Sequence, residues 1–274
     1  MFTSKTFIPC KELAPYIRSL LVMESETPVT VNIFPQPTAA LGFIYKGRMV
    51  CRQETGEQVV PGATICGPRT MMKQRIVCGN SGIIMVQFKE GGATSLFDVP
   101  IHELFGENIT LDTFFLRSEI EEIEERLSVS ESPEDKVRIV EQFLCSRIRH
   151  DRKDNLILEA TARIRGSRGT LRIGDLCRHL YISQSQFEKR FRRSIGTSAK
   201  KYASLIRISC VLATDRTEGN ITDMAYDAGY FDQAHFIKEF KAYTGLTPHQ
   251  FFKIPDEEFF WHGPSLHKTY YNNN

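Results

Sequence analysis

Gln184, Ser185, Gln186, Glu188, Lys189, Arg192 and Arg193 bring amides, a hydroxyl, a carboxylate and three cations together in one short stretch. About 49 positions later Gln233, Ala234, His235, Ile237, Lys238 and Lys241 form a second such stretch. Amides and hydroxyls can exchange hydrogen bonds with base edges while Lys and Arg meet phosphates, which is the chemistry required of a helix lying in a major groove. A solvated basic face on a helical bundle would use the same residue types. Repetition separates the two readings.

Phe187 and Phe236, Phe191 and Phe240, Gly196 and Gly245, Ser198 and Thr247, and Tyr202 and Phe251 are all 49 positions apart. Self-similarity at a fixed period marks a duplicated supersecondary unit. In the first copy Ile173, Leu176, Cys177 and Leu180 fall at i, i+3, i+4 and i+7, one apolar face of a helix. Ser183 with Gln186 three residues on matches a capping box and predicts a second helix, with Phe187 and Phe191 as its buried stripe. The second copy repeats this through Ile221, Met224, Ala225 and Ala228, a turn at 229–232 with Asp232 as N-cap, then Phe236 and Phe240. Asp175 pairs with Asp223 at an offset of 48, so the second turn should carry one residue more than the first. Two helix-turn-helix units are expected, at about 171–196 and 221–245.

Other chemistries find less support. Between Pro28 and Glu90 there is no histidine or aspartate, and the acids are Glu54, Glu57 and Glu90, so a histidine-and-carboxylate metal site lacks its ligands. No G-x-S-x-G elbow or phosphate loop appears, and Cys51, Cys66 and Cys78 have no base in their segment. His102, His150 and His179 read as surface or capping residues. No catalytic residue, metal ligand or cofactor is assigned, and an enzyme is not expected. Seven dispersed cysteines without a C-x-x-C pair argue for reduced thiols rather than a disulfide framework.

The stretch Gly229-Tyr-Phe-Asp-Gln-Ala-His-Phe-Ile-Lys-Glu-Phe-Lys-Ala-Tyr-Thr-Gly-Leu-Thr-Pro248 resembles the signature of the AraC/XylS family of bacterial transcription regulators. The preceding copy resembles that family's first unit in register, so the likeness covers about 100 of 274 residues. It implies a homeodomain-like tandem helix-turn-helix domain whose units are joined by a long helix, here 199–213, with Arg207 where the family carries an arginine. Ala199 stands where a proline is common and Ala234 where a serine is common; both are small. By the resemblance Ser185, Glu188 and Lys189 face bases, and Arg192 and Arg193 meet phosphates. The implied partners are double-stranded DNA and RNA polymerase.

Charge is distributed accordingly. The net charge is +2, but residues 156–254 hold 16 Lys and Arg against 9 Asp and Glu, a net of +7, leaving −5 elsewhere. A polyanion-binding domain joined to an acidic partner domain would have this asymmetry. No stretch reaches the length of a bilayer span and no leader is seen in the first 25 residues, so a cytoplasmic protein is expected.

Residues 11–22 read as an amphipathic helix through Leu13, Ile17, Leu20 and Leu21. Strands are predicted at 30–34, 40–45, 48–53, 58–66 and 83–88, with turns at 46–47, 54–57 and 79–82, about six strands in a small sandwich or barrel. Phe88-x-x-Gly-Gly and Pro100-x-x-Glu-Leu resemble the cupin-like sensor region ahead of the DNA-binding domain in some members of the same family. Lys46, Arg48, Arg52, Arg69, Lys73, Arg75 and Lys89 would suit an anionic effector, though loop cations are more plainly read as solvated. Charged helices are expected at 119–127 and 134–148. The stripe Val137, Val140, Leu144 and Ile148, with Phe143 beside it, either packs on the β body or pairs two chains into a homodimer. A polar linker follows at 151–155, and residues 255–274, with Phe259, Phe260, Trp261, Tyr270 and Tyr271, form a tail packed at its start and frayed at its end.

The expected architecture is an α+β two-domain chain. Residues 1–150 form a β-rich, cupin-like barrel or sandwich with flanking helices, and 156–254 an all-α tandem helix-turn-helix domain. The expected function is sequence-specific DNA binding in transcription, controlled by a ligand-sensing or dimerising N-terminal domain whose small-molecule effector is unidentified. Two alternatives stand beside it: a purely protein-interacting N-terminal domain, and a bifunctional protein with a reactive cysteine there, as in alkyl-transfer repair proteins.

Overall fold

The computed structural model describes residues 2–53, 56–213 and 221–253. The aromatic tail lies outside them. Strands are numbered in chain order: β1 (Phe2–Phe7), β2 (Ile17–Ser25), β3 (Val29–Ile33), β4 (Ala40–Lys46), β5 (Met49–Gln53), β6 (Gly56–Val59), β7 (Ala63–Cys66), β8 (Lys73–Val77), β9 (Ser81–Phe88) and β10 (Asn108–Thr110). They form two antiparallel sheets, one of six strands in the order β1-β2-β9-β4-β7-β10 and one of four in the order β3-β8-β5-β6. Leu21, Met23 and Ile83 of the larger sheet meet Val31, Met49, Cys51 and Val77 of the smaller, closing a sandwich. Behind the larger sheet Leu20, Val22, Phe43 and Ile84 pack on Ile123 and Leu127 of α1 (Arg117–Val129) and on Val140 and Leu144 of α2 (Pro133–Cys145). The α2 stripe is therefore buried on the β body and is not free to pair two chains.

Three expectations change. The helix predicted over 11–22 is instead a turn followed by β2, with Leu20↔Val86 and Leu21↔Met85 in register with β9. Leu20 and Leu21 enter the cores on opposite faces of the sheet, so both successive positions are apolar and the period of two disappears. The single strand predicted over 58–66 divides at Pro61, which has no N–H to donate to a ladder. Its first part is β6 in the small sheet and its second β7 in the large one. Strand β8, Lys73–Val77, went unpredicted because a buried arginine, Arg75, sits in it. Arg69 and Arg75, read as solvated, are only 5% and 4% exposed.

The helical part follows with α3 (Asn155–Gly166), α4 (Ile173–His179), α5 (Gln184–Ile195), α6 (Ala199–Ala213), α7 (Ile221–Asp227), α8 (Gln233–Thr244) and α9 (Pro248–Phe252). Helix α6 serves two apolar cores at once. Tyr202 and Ile206 join Phe187, Phe191 and Leu176, while Leu205 and Ile208 join Phe236, Phe240 and Ala225. Positions three or four apart share a face of a helix, and at 3.6 residues per turn the face of 202 and 206 lies about 110° from that of 205 and 208.

Contacts on two sides join the halves. Glu90, after β9, accepts from Arg18 Nη2 at 2.9 Å, from Arg165 Nη1 of α3 at 2.6 Å and from the Tyr202 hydroxyl of α6 at 3.1 Å. Burial pushes the Glu90 carboxyl up, but Arg18 and Arg165 outweigh it and hold it below the ordinary carboxylate value. On the other side Phe34 packs edge-on to Phe251, ring centroids 5.9 Å apart, and the Met72 N–H donates to the Tyr243 carbonyl at 3.2 Å.

Candidate nucleic-acid interface

Each unit is built from the inside out. Phe187 and Phe191 pack with tilted rings, centroids 5.4 Å apart, and Phe191 meets Tyr202 of α6 at 5.5 Å. Phe236 and Phe240 pack edge-on, centroids 5.6 Å apart, and Phe240 meets Phe251 at 5.3 Å. The four phenylalanines are fully buried. A helix with two such anchors one turn apart can present only its opposite face outward.

The helix ends match as well. Ser183 Oγ accepts from the Gln186 N–H at 3.3 Å, and Asp232 Oδ1 from the His235 N–H at 2.7 Å, each satisfying an orphan donor of the first turn. The Ser183 contact is a one-way cap rather than a reciprocal box. Gly196 (φ 93°) and Gly245 (φ 76°) end α5 and α8 in the left-handed conformation, where a side chain would strain the backbone. The first turn is also left-handed at Tyr181 (φ 52°) and the second at Gly229 (φ 75°). From there to the N-cap, Ile182 alone intervenes in the first turn but Tyr230 and Phe231 in the second, which is the extra residue implied by the offset of 48.

On the outward faces Gln184, Ser185, Gln186, Lys189, Arg192 and Arg193 of α5 are exposed, as are Gln233, Ala234, His235, Lys238 and Lys241 of α8. Glu188 and Ile237 are half-buried. Glu188 Oε2 has no hydrogen-bond partner and lies 3.8 Å from Arg192 Nε. The arrangement can offer amides, a hydroxyl and cations to a duplex from two helices of like construction.

The contacts of some positioning residues were not legible in the sequence. Arg190 is drawn off the outward face into a two-pronged bond with Asp154 at 2.6 and 2.9 Å, tying α5 to the start of α3. Arg207 of α6 donates to the Gly169 carbonyl at 3.3 Å, lies 5.0 Å over the Tyr230 ring and sits 3.5 Å from Glu239 of α8. Glu239 also accepts from the Tyr230 hydroxyl at 2.5 Å and from Ser204. Burial and the bond to Glu239 raise the Tyr230 pKa well above the ordinary phenol value. Arg207 thus locks the second unit onto the connecting helix, a role visible only once α8 is placed. Tyr181 and Phe231, 98% and 93% exposed, stand uncovered just before α5 and α8.

Among the described residues no group of three His, Cys, Asp or Glu side chains is placed to hold a metal, and no helix is long and apolar enough to cross a membrane.

Two helix-turn-helix units on one connecting helix define the class of the C-terminal half: a tandem helix-turn-helix DNA-binding domain. Residues 176–254 match the family described as "Helix-turn-helix domain", and residues 5–110 match one described as a "Domain of unknown function (DUF6597)". The Msm operon regulatory protein of Streptococcus mutans is 25% identical over 155 residues, 55% of each chain. The uncharacterized regulator YidL of Escherichia coli is 22% identical over 188 residues, 64% of this chain and 62% of that one. The matches span about half to three-fifths of these relatives. Among solved structures, ToxT of Vibrio cholerae has 14% identity over 92% of this chain and 97% of that one, with a TM-score of 0.45. Residues 176–254 thus form a helix-turn-helix domain of the AraC type.

Proposed function

We propose that the chain is a sequence-specific transcription regulator that reads DNA with α5 and α8 in successive major grooves, under the control of its β-rich half. The observation that carries this reading is the pair of like-built helices with exposed polar faces, fixed to one connecting helix. On this reading residues 1–150 are the regulatory domain and 156–254 the DNA-binding domain. Ser185, Glu188 and Lys189 face bases, Arg192 and Arg193 meet phosphates, and Gln184 and Gln186 support the first contact. On α8, Gln233 pairs with adenine, Ala234 and Ile237 meet thymine methyls, and His235, Lys238 and Lys241 complete the contact. RNA polymerase and a small-molecule effector are the further partners proposed.

Because the units are joined in tandem, one chain should recognise an asymmetric two-part site with centres about 34 Å apart, the second part richer in A·T. Selection of bound sequences from a randomised pool tests this. An inverted repeat, or one box shorter than a helical turn, would refute it. Binding should also weaken with salt at a log-log slope of about −0.9 per phosphate neutralised.

A further inference from the structure

Cys10 and Cys145 lie 135 positions apart in the chain, yet their sulfurs are in contact, Sγ to Sγ 3.8 Å. Cys10 opens the turn between β1 and β2, where its carbonyl accepts from the N–H groups of Leu13 and Ala14. Cys145 is the last residue of α2. A second tie holds the two segments together: the Cys10 N–H donates to Glu141 Oε1 at 2.6 Å. Residues 141 and 145 are one helical turn apart, so one face of α2 receives both the backbone and the sulfur of Cys10. At the far end of the same turn the Tyr16 hydroxyl meets Nδ1 of His150, beyond the end of α2, at 2.8 Å. The sulfurs are thus held in contact by the fold around them.

A free thiol often packs as a small apolar group, and Cys177, buried in the core of the first unit, is an example. Cys10 and Cys145 differ. Both are half-buried at the margin of the β-half core, and carboxylates stand beside them, Glu141 at Cys10 and Glu12 at Cys145. Burial, Cys10 and Glu12 push the Cys145 thiol up to about 12, so it keeps its proton and Cys10 is the sulfur that attacks first. Two thiols in fixed contact act as an intramolecular pair. Once one is joined to an outside sulfur, the other displaces that sulfur faster than a second outside thiol can.

We propose that Cys10 and Cys145 form a thiol–disulfide exchange site, which takes a low-molecular-weight disulfide of the glutathione disulfide class and closes to an intrachain bond between the β1–β2 turn and the end of α2. In the first step the Cys10 thiolate attacks one sulfur of the small disulfide RSSR; the Cys10–SR bond forms, the S–S bond of the reagent breaks and RS⁻ leaves. In the second, Cys145 attacks the Cys10 sulfur, the Cys10–Cys145 bond forms and the second R group leaves as RSH with the Cys145 proton. The two protein thiols together lose two electrons, and one RSSR is reduced to two thiols. The first step also removes the charge of Cys10, and with it that part of the rise at Cys145. The site does not depend on the DNA-reading function proposed above.

Incubation of the full chain with excess glutathione disulfide, followed by alkylation and non-reducing peptide mapping, tests the site. A Cys10–Cys145 peptide should be the first and main disulfide, with two thiols lost per chain at a rate independent of protein concentration. A bond across 135 positions constrains the unfolded chain strongly, so the thermal midpoint should rise by roughly 5 °C and fall back with dithiothreitol. Cys145→Ser should stop at a glutathione adduct on Cys10, whereas Cys10→Ser should be modified at Cys145 at least fivefold more slowly. Glu141→Ala removes neither thiol and should slow closure at least threefold. A disulfide mapped to another pair, bonds between chains, or adducts that never close would overturn the site. Equal rates in the two serine variants would overturn Cys10 as the attacking sulfur.

Discussion

The first and second helix-turn-helix units share a buried plan and differ in nearly everything that touches their surroundings. Both place two phenylalanines one turn apart against α6, begin the second helix with an oxygen cap and end it on a left-handed glycine. The first is held by Asp154 through Arg190, by Glu90 through α3 and α6, and by the end of α5, where Gly196 lies against Pro68 and Ile101. The second is held by Arg207 and by the apolar contact of Phe34 with Phe251. Duplication copied the packing, whereas the attachments diverged. The attachments differ, so the two units should respond differently to the same perturbation.

The largest effects should come from the shared core. Phe191→Ala and Phe240→Ala each remove a fully buried ring and should cost about 3–5 kcal/mol in denaturant unfolding. If the two cores are separable, Phe240→Ala should weaken reading of the second half-site more than the first. Equal losses at both half-sites would show that the units act as one block.

Glu90→Gln comes next, because it leaves Arg18 and Arg165 facing a neutral amide in a largely buried site, at a cost of about 3 kcal/mol. The native carboxyl titrates below its ordinary value of 4.5. Its stabilisation is therefore present above pH 4.5 and lost as the pH falls through the depressed folded value. Unfolding measured against pH should show an acid-side loss in the native chain that Glu90→Gln lacks. A variant with the native acid profile would place the first unit's attachment elsewhere.

On the outward face of α5, Lys189→Ala should cost about 1–3 kcal/mol in binding and relax base preference at one position, while Arg193→Ala weakens all sequences alike. Affinities for a panel of single-base variants would separate these. An equal, sequence-independent loss from both would reverse the assignment of base and phosphate contacts.

The caps give the smallest effects, about 1 kcal/mol each. Asp232→Ala should cost more than Ser183→Ala, because the aspartate bond is shorter, 2.7 against 3.3 Å, and its charge also meets the helix dipole. Thermal unfolding of the two variants would test the order.

The helical half was legible because each unit is local: caps, stripe and stop lie within about 25 residues, and a second copy checked the first. Helix α6 has the bounds that the family resemblance implied, Ala199–Ala213. In the β half the signal failed where burial was two-sided. Strand β2 looked helical because Leu20 and Leu21 are both buried, and β8 was hidden by a charge that faces inward. Asp154 with Arg190, and Arg207 with Glu239, gave no sequence signal, since nothing marks which of many charged residues will pair.

The sequence by itself determined the number of helix-turn-helix units, their order, their caps and the residues each turns outward. Those follow from periodicity and the hydrogen-bonding needs of helix ends, which act over a few residues. Only the tertiary structure decided that Glu90 joins the halves, that Arg75 and Arg69 are buried, and that Phe34 belongs to the core of the second unit. Desolvation and pairing depend on which groups meet in space, and partners as far apart as Glu90 and Tyr202 are chosen by the packing of sheets and helices rather than by neighbours in the chain.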